Sequence, residues 1–290
     1  MTTPRIHVVG SVNLDLVVSC ETLPKAGETV VGGGFSQHPG GKGANQALAA
    51  RRLEAEVSLI ACVGDDREAE QALALLARDG VDLSGCRRVP DKPTGVALIA
   101  VAADGDNQIV VAPGANGELV IDDLPERIPG ALIGQLETPI AVLEAAAERC
   151  EGWVVINLAP AHDVPDSLLE RADLIIVNES EGDAYGLERL FAAGGLTALT
   201  LGARGAVLFR NGCEIARAAP PSVEVVDATG AGDTFVAALT VALLEGLTPD
   251  EALSFACCAA AASTQTAGAQ TSLPWREALV GLGGLMGHPQ

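Results

Sequence analysis

A chain of 290 residues, 48% of them hydrophobic, is long enough for one large core or two modest ones and too apolar for a disordered segment. A formal charge of −20, from 38 acidic and 18 basic side chains, argues against non-specific binding to nucleic acid or anionic membrane, though a local site can oppose that field. Seven cysteines show no CxxC or Cys/His metal spacing, His7, Asn13 and Asp15 interrupt the N-terminal apolar run, and no run reaches membrane-spanning length, which predicts a soluble, cytoplasmic protein with reduced thiols.

Short apolar runs alternate with helical patterns. IHVVG (6–10) reads as a first strand, GANQALAARRL (43–53) as a helix, VSLIACVG (57–64) as a strand, followed by a helix near 67–79. Further strands are LIGQLE (132–137), WVVINLA (153–159), LIIVN (174–178) and LTALTLG (196–202), with the chain resuming as strand at Ala206. Helices are expected at 139–149, after LIIVN, at 232–245 and 249–264, and near 275–285. The near-continuous Val, Ile and Leu content of the strands predicts a parallel sheet with helices on both faces. Two stretches break the rhythm, 13–35 and 94–116, each with two β-like runs around a turn; ADGDNQ is a hairpin signal. They predict a small antiparallel sheet set apart from the main one, either a lid over a site or an edge extension.

DATGAGD (227–233) places Gly230 and Gly232 at a helix start, where free backbone N–H groups make an anion site. Asp233 then reads either as a helix cap or as a base taking a proton from a hydroxyl that attacks phosphorus. GGKGANQA (40–47) is a second glycine-rich helix start. It is not a phosphate-binding P-loop, because Gly43 follows Lys42, and neither cluster is a GxGxxG fingerprint, which disfavours a P-loop NTPase or a dinucleotide-dependent oxidoreductase. Lys42 and Asn45 suit a polyhydroxylated small molecule, or Lys42 is simply solvated. Asn13 and Asp15 point to one face if their stretch is extended, toward a pocket or toward water. Asn178 and Glu181 fit a plain cap or oxygen donors near a phosphate-bound Mg²⁺. Arg204 occupies a turn, facing a nucleotide phosphate or solvent, and Glu137 lies at the carboxyl end of a strand, where α/β proteins bind ligands.

In this order, GSVNLD (10–15), GGKGAN (40–45) and DATGAGDTF (227–235) resemble the opening strand and two signature regions of the ribokinase-like (PfkB) carbohydrate kinases, and the resemblance covers essentially the whole chain. It implies an α/β fold, a ribokinase-like three-layer α/β/α arrangement with a mainly parallel central sheet, as a single kinase domain over 1–290 with a small β-sheet lid formed by about 13–35 and 91–112. GDNQIVVAPGAN, QLETP, NLAPA, NESE and GAQTSLPWRE are most similar to the ribose-phosphorylating members. The implied activity is ATP-dependent phosphorylation of D-ribose at the 5-hydroxyl. A kinase for another sugar or a nucleoside, and a non-catalytic sugar- or nucleotide-binding regulator, are the alternatives.

The resemblance also implies roles. Asp233 would be the base, with the N–H groups of Gly230, Ala231 and Gly232 as an anion hole. Asn13, Asp15, Gly41, Lys42, Asn45 and Glu137 would hold the sugar, with Ile109 or Val111 over its apolar face. Asn178, Thr200, Gly202, Arg204, Gly205, Gly232 and Cys257 would lie along ATP. Glu181, with Asn178, would organise Mg²⁺ through water, and Asp227, Thr229, Ser263, Thr266, Gly268 and Ser272 would surround K⁺. Implied partners are a sugar and ATP, with no nucleic acid or membrane, and a second copy of the chain paired through the lid sheets. Two positions depart from the family pattern: Leu158 within NLAPA replaces the commoner proline, and Cys257 stands where a polar side chain often meets the adenine.

Overall fold

Residues 3–280 are described by the computed structural model, which builds its large sheet from strands whose alternate residues feed two separate cores. In chain order the elements are β1 (Arg5–Val9), β2 (Asn13–Ser19), β3 (Gly34–Gly40), α1 (Lys42–Arg52), β4 (Glu56–Gly64), α2 (Arg67–Asp79) and β5 (Asp82–Val89). There follow β6 (Gly95–Val101), β7 (Asn107–Ala112), β8 (Ala131–Gln135), α3 (Ile140–Arg149), β9 (Val154–Asn157), α4 (Asp166–Arg171), β10 (Leu174–Asn178), α5 (Glu179–Tyr185) and α6 (Leu187–Ala192). The chain continues through β11 (Leu196–Thr200), β12 (Ala206–Arg210), β13 (Cys213–Ala218), α7 (Ala231–Leu244), α8 (Pro249–Ser263) and α9 (Arg276–Leu279).

Nine strands form the large sheet in the order β13-β12-β11-β10-β9-β8-β1-β4-β5, parallel except where β12 and β13 run antiparallel at one edge. Along β8, Ala131 and Ile133 join a core shared with α1, α2, α7 and α8, while Leu132 joins another shared with α3 and α4. That alternation makes three layers, because a strand buried on both faces must be apolar at every position. α7 is apolar almost all round and buried from Asp233 to Ala242, packed against α1 and α8.

The second sheet has four strands in the order β3-β2-β6-β7 and is mixed, not antiparallel throughout as expected: its two hairpin-like pairs, β2–β3 and β6–β7, are antiparallel, but they join through β2 and β6, which run parallel. Its register puts Asp15, Ala97 and Val111 opposite one another, and likewise Val17, Ile99 and Ile109. Side chains directly opposite share a face. Asn13, Asp15, Ile109 and Val111 therefore stand on one face, and Leu98, Val110 and Phe35 on the other.

Four elements differ from the sequence expectation. The second β run near 13–35 falls later, as Gly34–Gly40, while Val31 is left 92% exposed. GFSQHPG has no alternating apolar pattern and carries Pro39, which an edge strand tolerates. β5 (DLSGCRRV) and β13 (CEIARA) are edge strands whose mixed polarity gives little apolar signal. The final helix is Arg276–Leu279, and the 281–285 part of the expected helix lies outside the described residues.

Candidate active site

Two helix N-termini meet beside the carboxyl ends of β8 to β11. α1 starts at Gly41, whose φ of 89° suits glycine, and a Cβ there would sit 2.7 Å from the Asn13 backbone nitrogen. α7 starts at Gly230, also left-handed at φ 81°. No side chain caps this helix, so Asp233 is not an N-cap. Its carboxylate instead turns to α1: Asn45 Nδ2 donates to Oδ2 at 2.8 Å and Gln46 Nε2 to Oδ1 at 2.9 Å. Asp233 is 7% exposed. Burial pushes its carboxyl above the usual range, while the Lys42 charge and the two amide donors pull it down and Glu137 pushes it up.

Around Asp233 the sugar-set residues converge. Glu137 Oε2 accepts from Ser11 Oγ at 2.5 Å and from the Lys42 backbone N–H at 3.2 Å. Asn13 Oδ1 accepts from Asn116 Nδ2 at 2.8 Å. Burial, with Glu137 and Asp233 nearby, drives the Asp15 carboxyl up to about 7. Burial alone would lower the Lys42 ammonium, but Asp233, Glu137, Glu181 and Asp15 outweigh it and hold it above its ordinary value. The Asn45 side-chain oxygen is buried without a partner, an acceptor waiting for a donor such as a hydroxyl. Ile109 and Val111, on the Asp15 face, are 54% and 46% exposed. Val111 lines a groove of about 460 Å³ with Glu137, whereas Ile109 does not.

A cavity of about 150 Å³ borders this cluster, lined by Lys42, Asn178, Glu181, Thr200, Gly230, Gly232 and Asp233. Thr200 and Gly232 also line a larger, mostly apolar cavity of about 670 Å³ with Gly202, Gly205, Phe235 and Cys257. Most of the residues expected along a nucleotide therefore face one cleft. Burial pushes the Cys257 thiol up to about 11, so it is a packing group and not a nucleophile. Arg204 ion-pairs with Glu179 and is absent from the cavity wall. The Ala231 N–H donates to Ala228 O at 3.2 Å, a long bond that a phosphoryl oxygen would have to replace.

Asn178 and Glu181 do form a reciprocal cap: Asn178 Oδ1 accepts from the Glu181 N–H at 2.9 Å and Glu181 Oε2 from the Asn178 N–H at 2.8 Å. Among the described residues no group of three or more His, Cys, Asp and Glu could hold a metal. One free Glu181 oxygen on the cavity wall fits a Mg²⁺ that keeps most of its waters and takes phosphate oxygens. Asp227 holds two of the other expected cation residues, Thr229 and Gly268, while the Ser263 and Ser272 hydroxyls donate to Ala260 O and Ala269 O. Its Oδ1 accepts from Thr229 N–H at 2.9 Å and Thr229 Oγ1 at 2.7 Å, its Oδ2 from Gly268 N–H at 2.8 Å. Val226 and Asp227 N–H groups bond Thr264 O at 2.8 and 3.0 Å. The segments 226–229 and 263–272 thus form one oxygen-rich loop pair, a donor set that fits K⁺.

Ser11, Gln46, Asn116, Gln135 and Asn157 belong to this site and were not singled out from the sequence. Gln46 directly follows Asn45 in the glycine-rich helix start, and Asn157 opens NLAPA, so for these two a positional signal existed.

The profile of the pfkB family of carbohydrate kinases matches residues 3–276. The chain is 38% identical to the ribokinase of Haemophilus influenzae over 94% of this chain and 96% of that one. It is 37% identical to the ribokinase of Bacillus subtilis over 94% and 97%. Its fold superposes on the crystal structure of ribokinase from Thermotoga maritima with a TM-score of 0.87 at 32% identity, covering 96% of this chain and 99% of that one. The Arabidopsis thaliana ribokinase complexed with ribose and ATP gives 0.84 at 32% identity, covering 97% and 99%. The order of the two glycine-rich helix starts, the α/β fold with its separate small sheet, and these matches lead to one conclusion: the chain belongs to the pfkB carbohydrate kinase family.

Proposed function

We propose that this protein phosphorylates D-ribose at its 5-hydroxyl, using ATP, to give ribose 5-phosphate and ADP. One observation carries the reading: a buried carboxylate, Asp233, stands in the first turn of a helix whose N-terminal residues Gly230 and Gly232 line, with it, the cavity beside a nucleotide-sized cleft. The ribokinase relatives support ribose as the acceptor.

In this mechanism Asn13, Asp15, Gly41, Lys42, Asn45 and Glu137 hold the ribose hydroxyls, while Val111 and Ile109 close over the ring from the small sheet, which acts as a lid spanning roughly 13–40 and 91–112. The 5-hydroxyl donates to Asp233 and lies in line with the γ-phosphorus. Asp233 takes the proton as the O5–phosphorus bond forms and the bond to the β-phosphate oxygen breaks. The Gly232, Ala231 and Gly230 N–H groups stabilise charge on the transferring oxygens. Thr200, Gly202, Gly205 and Cys257 flank the nucleotide, and Arg204 reaches a phosphate by leaving Glu179. Glu181 and Asn178 would hold Mg²⁺ through water, and Asp227, Thr229, Ser263, Thr266, Gly268 and Ser272 would hold K⁺. When bound, these ions neutralise phosphate charge and shape the anion hole. Closure of the lid excludes water, which limits ATP hydrolysis.

The outer face of the lid presents Phe35, Leu98 and Val110, 64%, 53% and 67% exposed, and a homodimer paired through these faces would bury them. Among the described residues no helix is long and apolar enough to cross a membrane.

The deciding assay is ADP release with D-ribose, other pentoses and hexoses, and ribonucleosides, each in Na⁺ or K⁺. Turnover on ribose above the rest, with kcat lowered at least ~10²-fold in Asp233→Ala, is the expected result. Turnover confined to a nucleoside would move the substrate. No turnover on any acceptor by a folded protein that binds ATP would overturn the reading.

A further inference from the structure

Beneath Asp233 lies a set of buried amides that the mechanism above does not use. Gln46, on α1, is fully buried. Its Nε2 donates to Asp233 Oδ1 at 2.9 Å and to Asn157 Oδ1 at 3.1 Å, and its Oε1 accepts from Gln135 Nε2 at 2.6 Å. Asn157 is itself oriented, its Nδ2 donating to Ile176 O at 3.2 Å. These partners come from α7, β8, β9 and β10, so the Gln46 amide is fixed from several directions. Turning it over would face its oxygen toward the Asp233 carboxylate and Asn157 Oδ1 and its NH₂ toward that of Gln135, losing every bond and creating three repulsions.

Gln46 and Asn45 both donate to the same carboxylate, yet they differ. Asn45 keeps an unpartnered oxygen, whereas both N–H groups and the oxygen of Gln46 are consumed by protein. Asn45 can serve substrate and base together; Gln46 has no capacity left for substrate.

We propose that Gln46, held by Gln135 and Asn157, is a positioning residue that fixes the plane of the Asp233 carboxylate so that it meets the acceptor hydroxyl. This rests on the assignment of Asp233 as base. A donor to the ionised form also favours that form. Other charged groups around Asp233 are Lys42 on α1, Glu137 after β8 and Asp15 on β2, of which only Lys42 favours ionisation.

Two variants test this in the full-length protein. Gln46→Glu keeps the shape but sets a second carboxyl against Asp233, and the pair must share a proton. Its acid limb in the kcat–pH profile should move up by about one unit or more, with kcat at neutral pH down at least ~10-fold. Gln46→Met removes the donor without adding charge; kcat should fall while KM for ribose stays within about twofold. The Asp233 carboxyl titration, followed by ¹³C NMR and assigned with Asp233→Asn, should move up in both. A merely structural role would lower the melting temperature and leave the limb and the titration in place. Folded variants with the parental kcat, limb and titration would overturn the proposal. Should Gln46→Glu not fold, an unmoved titration in Gln46→Met overturns it alone. A parent without turnover on any acceptor would sink the proposed function and the role of Asp233 as base, while the NMR titration would still read whether Gln46 holds the Asp233 carboxyl.

Discussion

Arg52 and Asp79 form an ion pair at 2.9 Å in which each side chain keeps only 4% of its surface. Arg52 closes α1, the helix that carries Lys42, Asn45 and Gln46. Its guanidinium also donates to Gln270 O at 2.9 Å and Leu273 O at 2.7 Å and stacks 5.4 Å from the Trp275 ring centre. One side chain therefore ties the sugar helix to the segment following Gly268. Arg52→Met leaves Asp79 half-paired and two carbonyls without donors. The expected loss is about 3 kcal/mol, since breaking a buried pair costs far more than an exposed one gains. Urea unfolding measures it, and a loss below ~1 kcal/mol would show that the pair is not structurally important.

Asp15 gives a pH signature of opposite kind. Its carboxyl rises from 3.8 to about 7, so the folded protein holds a proton that the unfolded chain gives up. The stability this proton contributes is fully present below 3.8 and is lost as the pH rises to about 7. Asp15→Asn should therefore match the parent in stability near pH 3.8 and exceed it at pH 8, by on the order of 2 kcal/mol after screening. The same variant should raise KM for ribose. In the parent, KM should climb as the pH falls below 7 and the carboxylate acceptor is lost. A pH-independent stability difference would contradict this account.

The parts legible in the sequence were those whose chemistry is local. Gly41 and Gly230 announce two helix starts because their backbone angles demand glycine, and buried strands such as β8 to β10 announce themselves by unbroken apolar runs. β3, β5 and β13 were not legible because an edge or lid strand need not be apolar. Asp233 could not be separated from a helix cap, because what distinguishes the two is its bond to Gln46, 187 residues away. Asn178 and Glu181 form the cap that their spacing suggests, and that Glu181 lines one cavity with Gly232 and Asp233 is visible only once α5 and α7 are placed around it. Arg204 was legible as a turn residue, but its pairing with Glu179 depends on α5 as well.

Gly232 separates the catalytic requirement from the structural one. It lies in the first turn of α7, on the wall of both cavities, and a Cβ there would meet no atom within 4 Å. Gly232→Ala should thus fold, and alanine's better helix propensity should stabilise it by ~0.5–1 kcal/mol. In the proposed mechanism the methyl would intrude on the path of the transferring phosphoryl, and kcat should fall at least ~10-fold, by analogy with loss of an oxyanion donor. A variant with stability raised and turnover intact would remove Gly232 from the anion hole.

Asp227 offers the sharpest test of the cation loop. Its carboxylate takes three hydrogen bonds, from Thr229 N–H, Thr229 Oγ1 and the Gly268 N–H. Burial would raise its carboxyl, but the Thr229 and Gly268 donors outweigh this and hold it below the usual range. It is therefore ionised across the working pH range and supplies the negative charge that a monovalent cation between 226–229 and 263–272 would need. Asp227→Asn keeps the size but removes the charge, and its NH₂ must face one of the donors. Two effects follow. The loop opens away from Gly268, raising KM for ATP, and the difference between K⁺ and Na⁺ disappears because neither ion is held. Measuring kcat in each salt at constant ionic strength reads the second effect directly. Parent and variant curves that respond equally to K⁺ would place the cation site elsewhere. Equal, salt-independent rates in the parent itself would show that the Asp227 loop is a purely structural closure.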